Sequence, residues 1–193
     1  MRIAQYLSIV GTALVLSLSA MAKDSSPVAS AAQLVPANAV LETMIDARTA
    51  KAGDAVTAKL TSPVHLPGGT ELQRNTVLTG HIDLVQAAVN AGVSTVVLTF
   101  DKAQPRGGQA IAIKSTIVGI YPSGTSLMPP DLNPEMKIEQ APSSAHGYSL
   151  TSDVQGSSSG VLRADGKNVR LGAGAELQLA VVPITTSSTA AGN

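Results

Sequence analysis

Apolar and polar residues alternate along four short stretches of the chain, with the two-residue period of a β-strand. The stretches are residues 54–60, 77–85, 94–100 and 110–121. The residues that share one face in each stretch are Val56, Ala58 and Leu60; Leu78, Gly80, Ile82 and Leu84; Val96, Leu98 and Phe100; and Ile111, Ile113, Ser115, Ile117, Gly119 and Tyr121. No stretch after residue 22 keeps a long 3.6-residue apolar spacing. The pattern predicts a mainly β fold.

The segment 122–160 has a different composition, because proline, serine and glycine dominate it. It ends in the run Gly156-Ser157-Ser158-Ser159-Gly160. Such a composition buries too little apolar surface to offset the loss of chain entropy, so it predicts either a loop that is ordered only in parts or disorder. Residues 161–183 are predicted to form C-terminal strands with a hairpin turn at Asp165-Gly166, and residues 184–193 a tail.

A short pattern recurs at residues 36–41, 73–78 and 172–177. Each segment has Asn or Gly at its third position and Leu at its sixth. Asn and Gly tolerate a left-handed backbone, so each segment predicts a tight turn that leads into a strand. Repeated units of this kind favour a small β-barrel over an open sheet, with its core at residues 36–121 and the C-terminal strands completing it. The predicted structural turn residues are Asn38, Gly53, Asn75, Gly80, Gly166 and Gly174.

The first 22 residues have the layout of a secretory signal peptide. Arg2 precedes an apolar run from residue 3 to residue 18, and Ala20-Met21-Ala22 supplies a cleavage site. The alternative is a membrane-spanning helix, but the run is shorter than the roughly 20 apolar residues that a bilayer requires. The pattern predicts export to the periplasm or outer membrane, a flexible leader at residues 23–35, and no stable transmembrane segment after cleavage.

The composition narrows the possible partners. Cleavage would leave 171 of the 193 residues, which suits one domain. The whole chain has 13 basic and 13 acidic residues, so it offers no basic patch for nucleic acid. It has one Phe, three Tyr and no Trp, which removes the stacking surfaces of single-strand binders. Because there is no cysteine, stability must come from packing and from sheet hydrogen bonds.

Two candidate chemical motifs lack the neighbouring residues that their chemistry requires. The run 156–160 formally matches G-x-S-x-G, but a nucleophile elbow needs a preceding strand, a following helix and a later histidine. All three histidines precede Ser158, so the run is predicted to be a linker. His65, His81 and His146, with Asp83 or Asp54, are candidate zinc ligands, but no H-x-x-x-H pair brings three together. The sequence therefore predicts a protein that is not an enzyme, with no catalytic, cofactor-binding or metal-binding residue.

Roughly residues 35–120 resemble the β-barrel domain of the TrbI-like family, with a fainter match at residues 169–180. The similar segments are Val35–Thr43, Ala52–Leu60 and Leu72–Gly80. Members of that family are outer-membrane-core components of conjugation and type IV secretion systems. Asn38 and Asn75 stand where the family has glycine. The chain looks most like stand-alone secreted bacterial proteins with this domain.

The resemblance implies a structural or protein-interaction barrel of the cell envelope that binds an envelope protein or itself. An alternative from a different class is a periplasmic module that binds a small apolar ligand inside the barrel. A third is a hydrolase with an unrecognised site near His81 and Asp83. The fold alone does not decide between them.

Overall fold

The computed structural model describes residues 33–140 and 147–184. Within these ranges the chain forms strands and no helix. The strands are β1 (Val35–Leu41), β2 (Ile45–Asp46), β3 (Ala55–Leu60), β4 (Val64–His65), β5 (Glu71–Leu72), β6 (Val77–Gln86), β7 (Val93–Gln104), β8 (Ile111–Tyr121), β9 (Lys137–Gln140), β10 (Ser149–Asp153), β11 (Gly160–Asp165), β12 (Arg170–Leu171) and β13 (Glu176–Pro183). In the part of the chain that is described, no helix is long and apolar enough to cross a membrane.

Six antiparallel strands close into a barrel in the order β6-β3-β1-β13-β8-β7, and the pairing of β7 with β6 completes the circle. This confirms the prediction of a mainly β small barrel. The C-terminal strand β13 fits between β1 and β8. Buried aliphatic residues form one contiguous core cluster with Phe100 and Tyr148. In a chain without cysteine, this buried apolar surface is the main source of stability.

β7 is longer than the barrel requires, and one of its edges has two partners. Lys102 and Ala103 pair with β8, whereas residues 93–98 pair with β11. β10 and β9 continue from β11, so a five-stranded sheet, β6-β7-β11-β10-β9, extends from the barrel wall. β7 and β8 must therefore separate where β11 enters.

Three barrel strands each contain one extra residue, seen as a shift in register. The extra residues are Asp83 in β6, Asp101 in β7 and Val118 in β8. Such a bulge reverses the alternation of faces beyond it.

Because of the bulges, the predicted faces of two strands, β6 and β8, are wrong in part. Leu84 does not share the buried face of Ile82, because the bulge at Asp83 turns it outward and leaves it 48% exposed. Gly119 and Tyr121 likewise do not share the face of Ile117, because the bulge at Val118 places them on the outer surface with Gln178.

Two corners of the barrel have the same construction. In one, Asn75 N donates to Leu60 O at 2.9 Å, and Leu60 N donates to Thr76 O at 3.0 Å. In the other, Gly174 N donates to Leu41 O at 2.7 Å, and Leu41 N donates to Ala175 O at 2.8 Å. A two-residue strand pair precedes each corner, β4 with β5 and β2 with β12.

Two of the three segments that share the repeated sequence pattern, residues 73–78 and 172–177, thus form the same structure. Asn75 and Gly174 have φ angles of 68° and 91°, and Gly53 and Gly166 are also left-handed. The predicted turn at Asn38 is wrong, because Asn38 lies inside β1 and pairs with Gln178. The predicted turn at Gly80 is wrong for the same reason, because Gly80 lies inside β6, at the register shift that Asp101 of β7 causes.

The predicted C-terminal hairpin does not form. β11, before Asp165-Gly166, pairs with β7 and β10, whereas β12, after it, pairs with β2. The turn residue is in place, with Gly166 at φ 71° and its N–H bonded to Gly92 O. Turn chemistry reverses the chain locally, but long-range packing decides which strand becomes the neighbour.

The predicted loop 122–160 contains two strands, β9 and β10, so the loop prediction is wrong for these residues. Ile138 and Leu150 bury their side chains beneath this part of the sheet. Residues 122–133, here called the strap, contain no strand, and Leu127 and Met128 at its centre accept hydrogen bonds from the outer barrel wall. The predicted signal peptide, most of the predicted leader and tail, and His146 lie outside the described residues.

Gly80 provides a test of the packing between β6 and β7. A Cβ atom at this position would lie 1.9 Å from Thr99 O. Gly80→Ala should therefore lower the free energy of unfolding by about 3 kcal/mol or more, because backbone must move. Denaturant unfolding would measure the change.

Gly172→Ala is the matched control, because a Cβ there meets nothing within 4 Å and its φ is not in the left-handed region. It should change stability by less than about 0.5 kcal/mol. Equal losses of unfolding free energy in the two variants would contradict the close approach of β6 to β7 at Gly80.

Candidate functional site

The separation of β7 from β8 leaves a notch of about 370 Å³ in the barrel wall. The apolar residues Phe100, Ile113 and Ile184 line it, together with the turn at residues 155–157. The buried hydroxyls of Ser115 and Ser159 also lie in its lining. The notch is thus a mainly apolar depression with a few fixed polar groups, the usual character of a small binding site.

Two serine hydroxyls replace the backbone hydrogen bonds that β7 and β8 lose at the notch. Phe100 N donates to Ser159 Oγ at 2.9 Å, and Ser115 Oγ donates to Phe100 O at 3.0 Å. The two hydroxyl oxygens are 2.8 Å apart. Because the Ser115 proton is already donated to Phe100 O, the Ser159 hydroxyl must donate to Ser115 Oγ. The three hydrogen bonds and the backbone of Phe100 together form a closed ring, here called the serine ring.

The backbone of Ser159 joins the same two strands. Its N–H donates to Leu98 O of β7 at 2.8 Å, and its C=O accepts from Ile117 N of β8 at 2.7 Å. Ser159 is only 1% exposed. It therefore satisfies backbone groups on both strands in a place where a lost partner would leave a buried polar group.

Two charged residues stand at the notch, Asp101 on β7 and Lys114 on β8. Asp101 is the bulged residue of β7, and a bulge re-aims the side chain that it carries. Neither residue forms an ion pair with any other residue in the described ranges. The notch could accept an apolar group between two opposite charges.

Ser159 had no recognisable signal in the sequence. It belongs to the Gly-Ser run predicted to be a linker, yet the structure buries it between two strands. Composition could not reveal this, because its partners Leu98 and Ile117 are about 40 to 60 residues away in the chain.

The serine ring predicts a specific loss on substitution. Ser159→Ala should lower the free energy of unfolding by about 2–3 kcal/mol. The substitution leaves the buried N–H of Phe100 without an acceptor and removes the hydroxyl that donates to Ser115 Oγ. Urea unfolding would measure this. The exposed neighbour Ser157 is the control, and Ser157→Ala should change stability by less than about 0.5 kcal/mol. Similar losses in both variants would contradict the role of the serine ring.

His81 and Asp83 form a pair on the outer surface, as their positions two residues apart suggested. His81 Nε2 lies 3.1 Å from Asp83 Oδ1, and Thr99 Oγ1 donates to Asp83 Oδ2 at 2.6 Å. The two side chains are 43% and 33% exposed, so water surrounds much of the pair.

The other candidate zinc ligands lie elsewhere. His65 is in β4 opposite Glu71, at 3.9 Å, and Asp54 accepts a hydrogen bond from Lys51 N. Across residues 33–140 and 147–184, no three His, Asp or Glu side chains converge where a metal ion could bind.

One buried carboxylate was not anticipated from the sequence. Asp46 in β2 accepts hydrogen bonds from Arg48 N at 3.0 Å and from Arg48 Nη2 at 3.0 Å. Arg170 of the paired strand β12 approaches it to 3.9 Å. The hydrogen bonds from the Arg48 side chain are the main reason that the pKa of Asp46 lies below its ordinary value of 3.8.

The lowered pKa of Asp46 predicts a pH dependence of stability. The stabilisation is fully present above the unfolded-state pKa of about 3.8 and is lost as the pH falls through the lower folded-state pKa. Asp46→Asn should therefore destabilise the protein at neutral pH, and its difference from wild type should shrink in strong acid. Unfolding midpoints at several pH values would measure this, with Asp131→Asn as an exposed control. A difference that stays constant with pH would contradict the assignment.

The outer barrel wall binds the strap through side chains. Gln178 Nε2 donates to Met128 O at 2.6 Å, and Asn38 Nδ2 donates to Leu127 O at 3.4 Å. Tyr121 Oη donates to Gln178 Oε1 at 3.0 Å and so orients that amide. Beside this row, Pro129 of the strap forms one wall of a cleft of about 280 Å³, which Asn38 also lines.

No known protein family matches the chain, and neither a curated protein nor a solved structure matches it. The resemblance to the TrbI-like family stays a prediction from its motifs.

Proposed function

We propose that the protein is a non-enzymatic, exported protein of the cell envelope whose barrel makes protein–protein contacts. The signal-like pattern of residues 1–22 supports export to the periplasm or outer membrane. The resemblance to TrbI-like barrels supports an envelope role. The observation that carries the contact function is an apolar row on the solvent side of the extended sheet.

The apolar row crosses three strands. Leu84 in β6 pairs with Val97 in β7, which pairs with Val161 in β11. Val93 lies four residues from Val97 along β7, on the same side of the sheet, and is 46% exposed. The solvent side of an antiparallel sheet is normally polar, so a row of this kind marks a surface suited to a partner.

Charged residues surround the row. Arg163 and Asp165 pair with Thr95 and Val93, and Asp83 stands at the bulge before Leu84. An apolar centre with a charged rim is the usual anatomy of a protein–protein interface. The outer edge strand β9 is short and carries Lys137 and Glu139, features that disfavour strand addition. The sheet face is therefore the better contact surface.

The proposal predicts that charge on the row abolishes contact. We expect Leu84→Lys combined with Val93→Lys to lower recovery of crosslinked partners from a cell-envelope fraction by about tenfold, because a lysine would have to be buried unpaired. Mass spectrometry would quantify the partners, and sedimentation would detect self-association.

Met44→Lys is the matched control, since Met44 is 54% exposed but lies outside the sheet face. It should leave partner recovery unchanged. If the wild type gave neither self-association nor partners above background, the contact function would be refuted.

The second candidate is binding of a small apolar ligand, and the notch between β7 and β8 favours it. Side chains fill the barrel interior, so a ligand would bind in the wall and not inside the barrel. The volume of the notch, about 370 Å³, is at the lower end of the range for small-molecule sites. Thermal stabilisation by an envelope lipid extract would favour this candidate over protein contact.

A further inference from the structure

We infer that the strap is a displaceable occupant of a second contact site, which binds an extended segment of another protein in the strap's place. The inference rests on the proposed contact function and deepens it by naming the kind of partner. The site is the row formed by Asn38, Gln178 and Tyr121 on the outer wall, here called the amide row.

Pairing across three strands builds the amide row. Asn38 in β1 pairs with Gln178 in β13, which pairs with Gly119 in β8. Gly119 has no side chain, and a Cβ there would lie 2.7 Å from the Tyr121 ring. The glycine therefore leaves room for the ring to lie beside Gln178 and hydrogen-bond its amide oxygen. The Gln178 amide is thus held in place before any segment binds.

The amide row recognises main-chain groups. Its two amides donate to the carbonyls of consecutive residues, Leu127 and Met128, and the strap continues as Pro129-Pro130. Proline keeps a segment extended and leaves its carbonyls free, and side-chain donors that bind such carbonyls are a recurring mode of peptide recognition. A partner needs an extended backbone more than any particular side chain.

The strap satisfies the site incompletely. The Oδ1 atom of Asn38 is buried and has no hydrogen-bond partner among the described residues. Pro129, which lines the same cleft as Asn38, has no N–H to donate. An extended segment with an ordinary residue in place of Pro129 could supply that N–H and would then bind better than the strap.

The strap is also weakly bound to the barrel wall. It contributes no strand, and Met128 is 80% exposed. Its central residues accept two amide hydrogen bonds from the wall, and the bond from Asn38, at 3.4 Å, is long. Such a segment can lift without disturbing the barrel core.

The test uses a full-length variant in which residues 126–131 are replaced by six Gly and Ser residues, which empties the amide row but keeps it intact. The probes are a synthetic peptide of residues 123–132 and the same peptide with Pro129→Ala. We expect the peptide to bind the variant at least about tenfold more tightly than it binds the wild type, whose own strap competes at high effective concentration. Calorimetry or fluorescence anisotropy would measure the affinities.

Two substitutions in the strap-replaced variant test the chemistry. Gln178→Leu should weaken peptide binding by about tenfold, whereas the matched control Gln155→Leu, whose amide donates to Pro134 O outside the strap, should not. The peptide with Pro129→Ala should bind about fivefold to tenfold more tightly than the unsubstituted peptide, because the N–H that it gains satisfies Asn38 Oδ1. Asn38→Leu should remove that advantage.

Several results would overturn the inference. One is no peptide binding by a strap-replaced variant whose circular dichroism matches the wild type; another is an advantage of the Pro129→Ala peptide that survives Asn38→Leu. A wild-type dimer that disappears on strap replacement would assign the site to a second copy's strap instead. If envelope partners are recovered equally with and without Gln178→Leu, the contact function stands and this inference fails; if no partner is recovered, the contact function fails whatever the peptide does.

Discussion

The structure depends on how the buried polar groups of Phe100 are satisfied where β7 and β8 separate. β7 shares one edge between β8 and β11, so a gap in the barrel wall is unavoidable. The hydroxyls of Ser115 and Ser159 close that gap by taking the place of the missing strand neighbour. A backbone N–H and C=O left unpaired at this depth would each cost about 1–3 kcal/mol, which is a large fraction of the stability of a small domain. The serine ring thus allows a closed barrel and an extended sheet to share one strand.

The bulges turn polar and charged side chains to the outside of the barrel. Asp83 and Asp101 are extra residues in their strands, and both carboxylates stand on the outer surface beside apolar ones. The bulge at Val118 similarly turns Gly119 and Tyr121 outward, where they support Gln178. Because packed side chains fill the barrel interior, the proposed binding surfaces (the notch, the apolar row and the amide row) lie on the outside of the barrel and of the extended sheet. This arrangement is physically consistent with a contact module, in which a rigid core holds its binding groups at fixed positions.

The two equivalent corners explain how a chain with many glycines and few large side chains holds a single register. Each corner fixes its strand pair by two backbone hydrogen bonds around a left-handed residue, Asn75 or Gly174. At the neighbouring short strands, His65 lies opposite Glu71 and Arg170 lies opposite Asp46. The second pair is buried and has a further arginine, so its carboxylate is held ionised by hydrogen bonds. A one-residue slip would move every apolar side chain of β3 or β13 to the wrong face, and the corners prevent it.

The sequence by itself determined the β class, the barrel-forming stretches and the left-handed turns at Asn75 and Gly174, because these follow from two-residue alternation and local backbone preference. It could not determine the bulges at Asp83 and Val118. A bulge reverses which face the following residues of the strand occupy, but no residue type in the sequence marks its position. It also missed that Asp165-Gly166 separates strands with different partners, and that Ser159 belongs in the core. Those outcomes depend on pairings between residues far apart in the chain, such as Ser159 with Phe100 and Gln178 with Met128. Only the tertiary structure decides which distant strand supplies the missing hydrogen bond, and with it where the binding surfaces lie.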